Sequence, residues 1–348
     1  MPYAMRNRMM ECSRRALVPL ALGLLAGACG QDQPDQLAPD LSTPIPSADA
    51  GAAIRNPGDT WTPKASMLTA RRSLAAAVLH GELYTLGGQD AINSTLAAVE
   101  AYNPRTDRWT AKAPLPDGRS DGNGAGVIDG LLYLAGGYSP SLGAFTSTLY
   151  VYNPSTNSWS TKANLPLNSG CGATGVINRK LYVLTGCVST SSGATMLFHR
   201  YDPATDSWIS LPSPGSAHMH PASGVINGKF YVAGGWDATR NITSSLEVYD
   251  PASNSWSTRQ SMPTARVQVA GSVIKGKLYV AGGMGRSFAA LGDTEEYDPR
   301  TDTWTTKPPM TPRFWLAAGA VKDVLYAVGG ITLQGALSTT EAYKPGSR

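Results

Sequence analysis

Little in this 348-residue sequence is made for chemistry. It contains four His and four Cys, and no nucleophile elbow, phosphate-cradling glycine loop or paired Cys/His zinc motif. Those absences exclude the familiar nucleophilic, nucleotide-binding and structural-zinc classes. No apolar run reaches the ~20 residues that a membrane-spanning helix needs. No segment keeps a 3.6-residue apolar period, which excludes a helical bundle. Charged residues make up 16% of the chain, and the formal net charge is +4. Residues 1–28 hold four Arg and one Glu, so removing them leaves +1, no basis for nucleic-acid binding.

What is present falls into three parts. Arg6, Arg8, Arg14 and Arg15 precede an apolar run over residues 16–28 that is too short to span a bilayer. Basic residues, a short apolar run and small residues at its end form an export signal. The run ends Leu25-Ala26-Gly27-Ala28-Cys29 and resembles the lipobox of bacterial lipoproteins, although Ala26 stands where that pattern has Leu. The resemblance implies cleavage after residue 28 and lipidation of Cys29. The alternative is a secreted protein cleaved nearby. Residues 29–56 are rich in Gln, Asp, Pro, Ala and Ser, and read as a disordered tether. The expected location is the cell envelope, with a membrane contact through the N-terminal lipid.

From residue 57 the chain repeats. Glycine pairs stand at 87–88, 136–137, 234–235, 282–283 and 329–330, with a degenerate copy at Thr185-Gly186, every 47 to 49 residues. Tyr102, Tyr152, Tyr201, Tyr249 and Tyr297 are each followed after seven residues by Trp109, Trp159, Trp208, Trp256 and Trp304. Each copy holds four strand-like segments; in the fourth they are 223–227, 229–233, 244–249 and 255–261. Asn227-Gly228 joins the first two as a tight hairpin, and Asp250-Pro251 opens a turn between the last two. Six units of four antiparallel strands make an all-β, six-bladed β-propeller over residues 57–348. Trp61 has no strands before it, and Tyr343 no Trp after it. The N-terminal strand within 59–67 is therefore expected to complete the last blade and leave no open edge. Gly-Gly, Tyr-Asp-Pro and Trp at these offsets resemble the kelch repeat.

Kelch propellers bind partners or substrates at the face carrying the interblade loops. The position ten residues before each first hairpin's second turn residue is Arg71, Ser120 (with Arg119 beside it), Ser169, His218, Arg266 and Arg313. The resemblance implies that such arginines can line the central mouth and take an acidic group, which the guanidinium fork suits. The competing reading pairs each with a local carboxylate; Glu100, Glu247, Glu295 and Glu341, two before the Tyr, are the candidates. Trp236, Trp315, Phe288 and Phe314 stand in loops and are candidate contacts for a partner or a sugar ring.

His218-Met219-His220 is the one histidine pair, and no nearby Cys completes a metal site in the sequence. The galactose-oxidase group holds copper on a kelch-type propeller with two His and two Tyr; nothing here matches that context. Neither metal nor cofactor is expected. Cys171 and Cys187 flank Arg179 symmetrically, and a hairpin of matching register bridges them for about 3 kcal/mol. A register off by one turns the thiols to opposite faces and leaves them free.

These features describe a monomeric propeller that binds a protein, acidic or carbohydrate ligand at its loop face, without catalysis. Two alternatives stand. Some bacterial six-bladed kelch propellers are sialic-acid epimerases, and an enzyme of that kind would draw on Arg266, Arg313, Glu295 and His218. A lectin-like propeller would use the loop aromatics.

Overall fold

A computed structural model describes residues 59–188 and 196–346. The export signal, Cys29 and the tether lie outside these residues. The chain divides into two units, residues 1–53 and 54–348. The second is the repeat region, and its described residues are all strand, turn and loop. Among the described residues no helix is long and apolar enough to cross a membrane.

Six four-stranded antiparallel sheets follow one another. The first blade is Ala75–Leu79, Glu82–Leu86, Val99–Asn103 and Arg108–Ala111. The next four repeat its order, and their first strands are Ala125–Ile128, Ala173–Ile177, Ala222–Ile226 and Ala270–Ile274. The sixth is Ala317–Val321, Val324–Val328 and Thr340–Tyr343, closed by Trp61–Lys64. Trp61 lies opposite Tyr343, as Trp109 lies opposite Tyr102. The two chain ends thus rebuild the standard blade register, and the expected closure is observed.

In the fourth blade the second strand, Lys229–Trp236, continues through Gly234-Gly235 instead of ending at residue 233. Its pairing shifts between Ala233 and Gly235. A glycine pair admits such a shift because it can leave the β region without steric cost.

That freedom fastens one blade to the next. Gly87 has φ +60, and a Cβ there would stand 2.1 Å from the Arg119 carbonyl oxygen of the second blade. The Gly88 N–H donates to that same oxygen at 2.7 Å. Gly283 donates to Arg313 and Gly330 to Arg71 in the same way.

The aromatics fill the wedges between blades. Tyr84, Leu86 and Val99 of the first blade pack with Leu132, Leu134, Tyr150 and Tyr152 of the second. Each Trp also reaches backwards: Trp109 Nε1 donates to Ala65 O, Trp159 to Ala113 O and Trp208 to Ala163 O. The repeated Tyr and Trp are therefore scaffold, with the Trp tip satisfied by the neighbouring blade.

Two faces result. The loop face carries the links between blades and the loops between second and third strands. The turn face carries the hairpins between first and second strands and the turns between third and fourth.

Candidate functional site

The six first strands surround an axial cavity of about 420 Å³. Its walls are small residues, among them Ala76, Gly126, Gly175, Gly224, Gly271 and Gly319. The glycine at 126 lets neighbouring blades close on one another: a Cβ there would stand 2.6 Å from Leu181 of the third blade.

The loop-face end of this cavity is ringed by a belt of backbone hydrogen bonds. Asp121 N–H donates to Ser73 O, Cys171 to Asp121, His220 to Cys171, Gln268 to His220, Trp315 to Gln268, and Ser73 back to Trp315, at 2.7–3.1 Å. One residue from each blade takes part. All six have positive φ, between 49° and 58°, although none is glycine. The belt over-determines this unfavourable backbone. The left-handed turn interrupts strand alternation, and five of the six, Ser73, Asp121, His220, Gln268 and Trp315, line the mouth.

Three of the six carry a buried polar atom with no hydrogen-bond partner: Gln268 Oε1, Trp315 Nε1 and Ser73 Oγ. They are consecutive around the belt, and all three residues line the cavity. Beside them the Arg72 guanidinium lies 4.3 Å above the Trp315 ring. Burial lowers the Arg72 pKa, opposed by Asp121 and Asp90. Asp121 and His220 complete the rim.

The residues expected at the mouth sit two positions earlier, inside the wall. Arg71, Arg266, Arg313 and His218 are fully buried and do not line the cavity. Arg71 Nη2 lies 3.3 Å from Glu100, Arg266 Nη2 2.8 Å from Glu295, and His218 Nε2 2.8 Å from Glu247; Arg313 pairs with Glu341. Arg266 also donates to the carbonyls of Gly282 and Asp293, and Arg71 to those of Gly87 and Ala98. Each guanidinium thus ties the link to the glycine pair and to the third strand. His218 takes the same place with two nitrogens, meeting Gly234 O and Glu247. Burial would raise the Glu247 carboxyl; the bonds from His218, Gly215 and Ser216 outweigh it and hold it below the usual range.

The second and third blades vary this theme. The second blade has one residue more between link and hairpin, so the equivalent of Arg71 is Arg119 and not Ser120. Arg119 pairs with Asp117, donates to the Tyr150 hydroxyl and lies 4.9 Å above its ring. Ser169 accepts from Asn123 in the third blade. The acid–base candidates Arg266, Arg313, Glu295 and His218 are therefore spread over three blades and neutralised pairwise in their walls.

The loop aromatics divide. Trp315 is on the rim, with Phe314 5.4 Å from it. Trp236 and Phe288 pair across the fourth and fifth blades at 6.2 Å. Phe288 is exposed, and so are Ile92, Leu142 and Leu333; all four stand in loops between second and third strands. Arg240 and Arg286 are exposed among them.

Cys171 and Cys187 form a disulfide with a Cα–Cα distance of 5.3 Å. The ladder sets Cys187 opposite Gly170, one residue off the symmetric register. The sequence argument that such a slip frees the thiols fails, because Cys171 at φ 58° leaves the strand alternation on which it relied. Sequence reasoning also missed Arg72, Ser73, Asp121 and Gln268. The residues just before each first strand vary from copy to copy, and that variation was the available signal.

The sequence profile of the KLHDC2/KLHL20/DRC7 Kelch-repeats domain matches residues 122–330, more than half of the chain, and that of the Kelch motif matches residues 70–116. Kelch-like protein terF of Aspergillus terreus is 36% identical over 96 residues, 26% of this chain and 20% of the relative. Kelch-like ECH-associated protein 1A of Danio rerio is 40% identical over 82 residues, 23% of this chain and 14% of the relative. The chain thus spans a fifth or less of these curated relatives. The solved structure of YjhT superposes with a TM-score of 0.67 at 18% identity, covering 79% of this chain and 95% of that one; at this identity the likeness concerns the fold. Repeat, blade register, closure and profile agree: the chain belongs to the kelch-repeat family.

Proposed function

We propose that this propeller is a binding module that takes a partner protein on its loop face, with a hydrogen-bonding side chain of the partner seated at the mouth of the axial cavity. The observation that carries this reading is the run Gln268, Trp315, Ser73: three buried polar atoms without partners, adjacent on one rim. A buried polar group left unpaired costs about 1–3 kcal/mol, so a ligand that satisfies three of them gains affinity from groups the fold leaves open. Gln268 Oε1 calls for a donor, Trp315 Nε1 for an acceptor, and Ser73 takes either. Arg72 adds a cation for an acidic partner group. The exposed tips Ile92, Leu142, Phe288 and Leu333 supply apolar contact around this centre.

Export and lipidation at Cys29 remain part of the reading, supported by the sequence of residues 1–29. Asp59, the first described residue, accepts from the Tyr343 hydroxyl, as Asp107 does from Tyr102 in a third-to-fourth-strand turn.

The test is capture from the native envelope by the wild type and by two variants. Ser73→Ala/Gln268→Ala/Trp315→Ala should lose the captured partner. Lys275→Ala/Arg300→Ala, on the turn face, should retain it. Equal capture by all three would remove the mouth from the reading.

A further inference from the structure

The sequence shows no cysteine near His218-Met219-His220. The fold supplies two. The sulfurs of Cys171 and Cys187 and a ring nitrogen of His220 all lie within 4.8 Å of one another. They arrive from three segments: Cys171 from the link into the third blade, Cys187 from the start of that blade's second-to-third-strand loop, and His220 from the link into the fourth.

Their backbones are held independently of the disulfide. His220 N–H donates to Cys171 O, and Cys171 N–H to Asp121 O, each at 2.7 Å within the belt. Cys187 is paired with Gly170 on a short ladder. Gly186 lies against the Cys171 carbonyl, where a Cβ would stand 2.1 Å away, and Gly172 is as crowded against Leu184 O. The cluster is thus closely packed by backbone, and Cys171 itself is buried.

Two thiolates and an imidazole are a borderline-soft donor set that suits Zn²⁺, whose bonds to S and N are about 2.3 and 2.0 Å. Three donors in a tetrahedron leave one position open, and His220 lines the axial cavity. We propose that Cys171, Cys187 and His220 form a redox-gated Zn²⁺ site, shut while the disulfide stands and opened when a dithiol reduces it. In the opening step the dithiol gives two electrons and two protons. The Cys171–Cys187 bond breaks, two thiols form, and the reductant closes to a cyclic disulfide. Zn²⁺ then displaces both thiol protons to solvent and takes the His220 lone pair. The fourth position goes to water or to a donor entering from the cavity. The site needs no partner and stands apart from the binding role proposed above.

The experiment uses the full chain, oxidised or reduced with a phosphine and then desalted without oxygen, and titrated with Co²⁺ as a spectroscopic stand-in for Zn²⁺. Cys12 and Cys29 are common to every arm, so Cys171→Ser/Cys187→Ser provides the background. The reduced wild type should bind one more equivalent than this variant, with a thiolate-to-cobalt charge-transfer band that Zn²⁺ abolishes. The oxidised wild type should match the variant. His220→Ala keeps both cysteines and so the fold of the oxidised state; after reduction its Co²⁺ affinity should fall at least tenfold. A reduced wild type that binds no more Co²⁺ than the double-serine variant overturns the proposal, and so does a reduced His220→Ala protein that binds as tightly as wild type. A reduced wild type that has lost its near-UV circular dichroism and binds no metal overturns it equally, because the site is a property of the folded ring.

Discussion

Arg266 donates to Glu295 at 2.8 Å inside the fifth blade, and both side chains are almost wholly excluded from solvent. The same guanidinium reaches Gly282 O and Asp293 O. Breaking a buried pair from one side strands a charge, so Arg266→Ala or Glu295→Ala should each cost about 3–5 kcal/mol. Arg266→Met/Glu295→Leu removes both charges but leaves the carbonyls without a donor, so it should recover only part of that. Guanidinium unfolding at neutral pH measures all three. An Arg266→Ala protein as stable as wild type that fails to capture its partner would instead make this arginine a ligand contact.

The disulfide joins residues 16 apart. A loop of that length constrains the unfolded chain by about 3 kcal/mol. Without metal, Cys171→Ser/Cys187→Ser should be less stable by about that amount, and a reductant should bring the wild type down to the variant and leave the variant unchanged. Differential scanning calorimetry with and without reductant separates the two.

Acid should weaken the blades unequally. Asp107 and Asp206 are held below the usual carboxylate range by the hydroxyls of Tyr102 and Tyr201, then by the amides of Ala65 and Ala163. Asp302 is held there by the Gln260 amide, then by Tyr297. A carboxyl whose folded pKa is depressed contributes its stability above the unfolded value of about 3.9 and loses it as pH falls through the folded value. The second and fourth blades have Asn157 and Asn254 at this position, bonded to Tyr152 and Tyr249 without a titrating group. Asp107→Asn/Asp206→Asn/Asp302→Asn should therefore flatten the fall in stability below pH 4 while keeping the fold, as read by urea midpoints across pH.

Ring closure rests on four residues of the N-terminal strand. Trp61 packs against Tyr343 with ring centroids 5.4 Å apart and donates to Pro308 O and Thr294 Oγ1. Trp61→Ala should cost about 3 kcal/mol, the low end for a large aromatic because the ring is half-buried. Deleting residues 1–64 would expose Thr340–Tyr343 as an unpaired edge. That protein should self-associate in light scattering while the point variant scatters as the wild type does.

The repeat alone determined the blade count, the four-strand unit, the closure by Trp61 and the structural role of Tyr and Trp. Those properties follow from short-range pattern: strand alternation, turn chemistry and a spacing of 47 to 49 residues that recurs until the ring closes. The sequence also placed glutamates two residues before the tyrosines as candidate partners for the arginines, because strand parity is local. It left open whether those arginines face a ligand or their own blade. Only packing decides that, through the third strand that brings Glu295 to Arg266 across 29 positions. The belt from Ser73 to Trp315 and the approach of His220 to the Cys171–Cys187 pair were not legible at all. Each joins residues about 50 apart in the chain through a left-handed backbone at non-glycine residues, a conformation that no local preference selects and that the closed ring of hydrogen bonds imposes.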